Sequence, residues 1–146
     1  MNEIPVTLVG NVVTDVGATT TPGGAELAWF RLASTPRHYD RALGRWVDGD
    51  TSYVRVSCWR HLARNVVVSV RKGDPVVVTG RLRVREWARE DRKGVAVEVD
   101  ASAIGHDLSR GVSRFDRPAR PAALPDGPEK AAVVAATGGP AEVDAA

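Results

Sequence analysis

The sequence predicts an all-β domain: a small, partly open β-barrel of short strands with one short helix. Three observations lead there. Several stretches alternate apolar and polar residues with period two, as a strand does when one face meets a core. Gly, Pro and Asp clusters punctuate them at short intervals. One stretch alone, "RHLARNVVVSV" at 60–70, places apolar residues four apart instead.

The elements follow in order. "VTLVGNVVTD" (6–15) is rich in β-branched residues, and its Gly10 marks a bulge or bend. "TTTPGGAE" (19–26) is a turn cluster. "ELAWFRLAS" (26–34) reads as a strand with Phe30 and Leu32 on one side and Trp29, Arg31 and Ala33 on the other. "TPRHYDRALGRWVDGD" (35–50) is polar, basic and aromatic, and reads as a long hairpin loop. "SYVRVSCW" (52–59) puts Val54, Val56 and Cys58 on one face and Tyr53, Arg55, Ser57 and Trp59 on the other. In 60–70 three consecutive valines favour a strand, but the spacing of Leu62, Val66 and Val70 favours a short helix. "KGDP" (72–75) is a turn, and "VVVTGRLRVREW" (76–87) is a long strand. "AREDRKG" (88–94) reads as a charged hairpin loop, and "VAVEVDASAI" (95–104) alternates again as the last strand.

Beyond about Arg110 the composition changes. Of residues 110–146, nineteen of thirty-seven are Ala, Pro or Gly. Such a segment cannot bury enough apolar area to offset its ordering entropy, so the reading is a folded domain over 1–109 and a disordered tail over 110–146. The tail is polarised: 110–120 carry four Arg and one Asp, and 121–146 one Lys and four acids.

Composition excludes several classes of function. The 146 residues, 43% of them hydrophobic, suffice for one domain with a core. Cys58 is the single cysteine, which excludes an intrachain disulfide and a cysteine zinc site and fits a reducing cytosol. The opening "MNEIPVTLVG" shows no secretory signal, and no stretch approaches the roughly 18 apolar residues of a membrane helix. His38, His61 and His106 are scattered without metal-ligand spacing, and neither a phosphate-binding GxxxxGK[ST] loop nor a GxSxG elbow is present. No catalytic residue, metal or cofactor is therefore expected.

The net charge of +2 hides an uneven distribution. Between Arg31 and Lys93 lie fifteen Lys or Arg against seven Asp or Glu. The same region holds most of the aromatics. In "GRLRVREW" (80–87), Arg81, Arg83, Arg85 and Trp87 share one face of a strand and Leu82 and Val84 the other, with Glu86 at the exit. Arginines on an outer sheet face are ordinary solvent-facing residues by themselves. Outward indoles are not, because leaving apolar area in water costs roughly 25 cal/mol per Å². Trp29, Trp59 and Trp87 all fall on polar faces. An oligomer interface would account for them. Stacking platforms for bases account for them better, because guanidiniums interleave with the rings: charge for a phosphate backbone, a π-face for a base.

The blocks "VTLVGNVVTD", "ELAWFRLAST", "YVRVSCWRHLARNV", "VRKGDPVVVTGRLRVREW" and "VAVEVDASAIG" together resemble, in family order over about residues 1–108, the bacterial single-stranded DNA-binding proteins. The "STPRHYDRALGRWVDGD" loop is similar to the actinobacterial branch. The resemblance implies an OB-fold, a five-stranded barrel with a helix between the third and fourth strands. It also implies binding of single-stranded DNA, a homotetramer with the N-terminal strand at a protomer interface, and work in replication, repair or recombination on the cytoplasmic nucleoid. The family's stacking aromatics fall at Tyr53, Trp59 and Trp87, with a fourth at His38 or Tyr39. Trp46 is a further stacking candidate. Arg55, Arg60, Arg81, Arg83 and Arg85 are the phosphate-backbone candidates. Phe30 and Cys58 read as core, and Trp29 fits either a groove or an interface. The family's acidic, Phe-ended tip, which docks partner proteins, has no counterpart in "GGPAEVDAA", so tail-mediated recruitment is doubtful and a specialised short-tailed paralogue is implied. An RNA binder, or a protein-interaction module using the same face, stays open.

Overall fold

The computed structural model describes residues 2–118. The compact unit ends at Gly111, and residues 112–118 carry neither helix nor strand. The expected tail lies, from Ala119 on, outside the described residues.

The chain forms β1 (Ile4–Val12), β2 (Gly17–Thr20), β3 (Glu26–Ser34), β4 (Arg37–Asp40), β5 (Arg45–Asp48), β6 (Ser52–Trp59), α1 (Arg60–Ser69), β7 (Pro75–Arg89) and β8 (Arg92–His106). Five of the strands close on themselves. The sheet order is β1-β7-β8-β6-β3, and β1 pairs again with β3. Most of β1 pairs with β7, from Ile4 opposite Leu82 to Asn11 opposite Pro75, while its last residues turn to β3. Gly10 sits at that change of partner. A Cβ there would collide with the Ala33 carbonyl, so the close approach that joins β1 to β3 requires glycine.

Alternation fills the inside of the ring. Val12, Ala28, Phe30, Leu32, Val54, Val56, Cys58, Val76, Val78 and Val99 are buried, and no polar side chain is buried with them among the described residues. Burial pushes the Cys58 thiol up to about 11, which keeps it protonated and unreactive. The helix follows β6, where the four-residue spacing places it. Ala63, Val66 and Val70 complete the core, with Leu62 half-buried against it, while Val67 and Val68 are exposed. On β8 the inward side changes parity. The register with β7 slips at Thr79/Gly80, leaving Ser102 unpaired, so that Val99 and Ala101 before it and Ile104 after it all meet the core.

Three loop expectations need correction. Thr19 and Thr20, read as part of a turn, end β2 and pair with Leu27 and Glu26 of β3. Within the long hairpin loop expected at 35–50, residues 37–48 are themselves paired as the two-stranded β4–β5 hairpin. The 88–94 segment is mostly strand: β7 and β8 stay paired out to Arg89 opposite Arg92, leaving only Glu90 and Asp91 in the turn. Polar composition marked exposure there, not loss of pairing. The same extension carries the hairpin past the core, so the expected burial of the aliphatic face ends at Leu82, and Val84 and Val95 are exposed.

The turn before β7 ties the ends together. The Asp74 carboxylate accepts from the Arg71 backbone N–H at 2.9 Å and lies 3.0 Å from His106 Nε2, while its carbonyl accepts from the Val12 N–H at 2.9 Å. Partial burial pushes the Asp74 carboxyl up, but the Arg71 amide and His106 outweigh it and hold the group below its ordinary value.

Two outcomes are expected. Gly10→Ala should cost about 1–3 kcal/mol in urea unfolding, the usual cost of overpacking; an unchanged midpoint would mean that β1 and β3 can separate freely. Because the folded pKa of Asp74 is depressed, its stabilisation is present above the unfolded value and lost as pH falls through the folded one. Wild type should therefore lose on the order of 1 kcal/mol more than Asp74→Asn on acidification below about pH 4. Parallel acid limbs would show that the carboxylate contributes nothing.

Candidate nucleic-acid interface

The alternation that fills the core turns the other half of each strand outward. On β6 these are Tyr53, Arg55, Ser57 and Trp59; on β3, Trp29, Arg31 and Ala33. On β8 they are Glu98 and Asp100, and on β7, Arg81, Arg83, Arg85 and Trp87. The four strands are adjacent in the order β3-β6-β8-β7, so their registers line these residues up in rows across one surface. One row reads Trp29, Ser57, Asp100, Arg81; the next reads Arg31, Arg55, Glu98, Arg83.

Three sequence-predicted stacking residues lie on this surface with their rings accessible: Tyr53 is 52% exposed, Trp59 40% and Trp87 41%. Trp59 ends β6, directly opposite Leu27. Trp87 lies on the extended hairpin over its cross-strand partner Gly94, where any Cβ would run into the indole. Trp29 is seated in the same way over Gly17 on β2. In both places a glycine leaves the neighbouring strand flat enough to support a ring.

The remaining aromatic candidates sit on the separate β4–β5 hairpin. Tyr39 and Trp46 are paired across it and meet edge-to-face, centroids 5.8 Å apart. His38 pairs with Val47 and points to the other face of the ribbon. Of the two neighbours offered by the sequence, the structure brings Tyr39 to the aromatic pair and not His38.

The arginines divide into two groups. Those of β7 are already partnered. Arg81 lies 3.0 Å from Glu3 and 4.0 Å from Asp100, Arg83 3.1 Å from Asp100, and Arg85 2.9 Å from Glu98. The guanidinium side chains are half exposed, so each pair is worth only about 0.2–1 kcal/mol and can open toward another anion. Those of β3 and β6 lie over rings instead. The Arg55 guanidinium carbon is 5.3 Å from the Trp29 ring and that of Arg31 is 5.2 Å from the Tyr53 ring. Arg60 stands apart at the start of α1, with a φ of 58° at the sharp corner after Trp59. That left-handed conformation costs on the order of 1–3 kcal/mol in a residue with a side chain.

The sequence places Arg31 on the outer face beside Trp29 but not among the phosphate-backbone candidates, and leaves the β7 counter-charges Glu98 and Asp100 unnamed. The alternation of "VEVD" does place both acids on the arginine face, so that signal was present.

A closed ring in the order β1-β7-β8-β6-β3, with a helix between β6 and β7, is an OB-fold domain. The chain belongs to the single-strand binding protein family, whose model matches residues 2–107. It is 50% identical over 118 residues to single-stranded DNA-binding protein 2 of Streptomyces avermitilis, covering 81% of this chain and 74% of that one. It is 44% identical over 144 residues to single-stranded DNA-binding protein 1 of Streptomyces coelicolor, covering 97% and 92%. Among solved structures, the small single-stranded DNA-binding protein of Streptomyces coelicolor superposes with a TM-score of 0.70 at 46% identity, over 76% of this chain and 100% of that one.

Proposed function

We propose that this protein coats single-stranded DNA with little sequence preference, holding it unpaired and shielded during replication, repair and recombination. The observation that carries the reading is the continuous outer face of β3, β6, β8 and β7, on which accessible aromatic rings alternate with arginines. The names of its relatives support it.

The mechanism has no chemical step. Bases stack on Tyr53, Trp59 and Trp87, each worth about 1–3 kcal/mol and indifferent to base identity, because every base has a π-face. The Tyr39–Trp46 hairpin offers a further stacking surface. Guanidiniums neutralise phosphates as counterions leave. A duplex gains little, because its paired bases hide their faces. The working form is a homotetramer on the cytoplasmic nucleoid, with β1 at a protomer interface; the exposure of Ile4 and Val9 on that strand supports this.

Poly-dT should quench most of the tryptophan emission, and affinity should fall with salt at a log–log slope near −0.7 per phosphate neutralised. Replacing Trp59 and Trp87 together by Ala should weaken binding by several kcal/mol at most and leave the circular dichroism unchanged, since neither ring is in the core. Salt-independent binding, or none, would remove the reading and favour a protein-interaction module.

The carboxylates set the strength of the β7 side. Asp100→Asn frees Arg83 from its 3.1 Å partner and removes a charge that opposes phosphate. It should tighten poly-dT binding several-fold at low salt, with the gain fading near 1 M as screening shortens to about 3 Å. Weaker binding would instead show that Asp100 holds Arg83 in its binding position.

A further inference from the structure

We propose that Arg31 and Arg55 form the principal phosphate clamp of this face, braced by Trp29 and Tyr53, and that the β7 arginines are secondary to it. The proposal rests on the single-strand-binding reading and assigns its backbone site.

Arg31 and Arg55 are direct cross-strand partners. The Arg31 backbone N–H donates to Thr14 Oγ1 at 2.9 Å, and its carbonyl accepts from the Val13 N–H at 2.9 Å. Both bonds point away from β6. The pair is therefore of the non-hydrogen-bonded kind, in which side chains stand closest, with Cα atoms about 4.5 Å apart. Like charges in that position repel. Among the described residues neither guanidinium has a carboxylate within ion-pair distance. The acid beside them in the row, Glu98, is committed to Arg85 at 2.9 Å.

The two arms part along the strands. Arg31 leans over Tyr53 at one end and Arg55 over Trp29 at the other. Trp29 cannot retreat, because Gly17 supports it from β2. The result is two uncompensated guanidiniums on the adjacent strands β3 and β6, flanked by rings. A phosphodiester fits this site: it relieves the repulsion and displaces no carboxylate. A phosphate approaching Arg81, Arg83 or Arg85 must first compete with Glu3, Asp100 or Glu98. The arrangement also assigns Trp29 a place, as the residue that positions Arg55.

The test uses the full chain and poly-dT, followed by tryptophan fluorescence from about 0.1 to 1 M salt. Arg31→Ala and Arg55→Ala should each reduce the magnitude of the slope by about 0.7, which is a loss of about five-fold at about 0.1 M salt that vanishes near 1 M. Arg31→Lys, which keeps the charge, should keep the slope. Arg31→Gln serves in place of Arg31→Ala should the latter fail to fold. A slope that falls for Arg83→Ala but not for Arg31→Ala or Arg55→Ala overturns the clamp and leaves the single-strand reading standing, since wild type binds in the same titration. Failure of wild type to bind poly-dT takes down both.

Discussion

Closure of the sheet through β1 is the constraint on which everything else depends. A five-strand ring has one inside, and every strand that contributes to it must send alternate side chains there. β1 makes this possible by hydrogen-bonding first to β7 and then to β3, and it can do so only because residue 10 has no side chain to hold Ala33 away. With the ring closed, the inner positions of β3, β6, β7 and β8 become a dry aliphatic core around Phe30 and Leu32. The outer positions are then fixed as well. An outward Tyr53 or Arg55 is the same fact as an inward Val54 or Val56, seen from the other side.

That outer surface is electrically uneven in a way composition does not show. Counted along the chain, Arg81, Arg83 and Arg85 form its most conspicuous positive stretch. In space they are the most compensated, because β8 runs beside them with Glu98 and Asp100 in register and Glu3 reaches them from the start of the chain. Arg31 and Arg55 are less conspicuous and are left against aromatic rings. The face therefore has an uncompensated β3–β6 side and a buffered β7–β8 side. For a strand-coating protein this division is useful. A buffered side limits binding to stray anions, yet exposed ion pairs worth about 0.2–1 kcal/mol open easily to a competing anion.

The long β7–β8 hairpin follows the same physics past the limit of the core. Its pairing continues to Arg89 and Arg92 because backbone hydrogen bonds need no apolar face, but its aliphatic side is no longer covered after Leu82. Trp87 keeps its place there through the flat seat at Gly94. The outer face thereby reaches further than the ring that supports it.

Much of this was legible in the sequence. Period two in "SYVRVSCW" and "GRLRVREW" assigned inner and outer faces residue by residue, and four-residue spacing placed the helix against three valines that argued for a strand. Local geometry fixes these, because a strand must alternate and a helix must repeat whatever surrounds it. Three matters were decided only in space. Polar composition at 37–48 and 88–94 could not say whether the backbone pairs, since pairing depends on a neighbour that composition does not name. Which of Tyr39 and His38 meets Trp46 came from register across a hairpin. The partners of each arginine came from which strands lie side by side: β7 beside β8 gives Arg83 a carboxylate, and β3 beside β6 leaves Arg31 a ring.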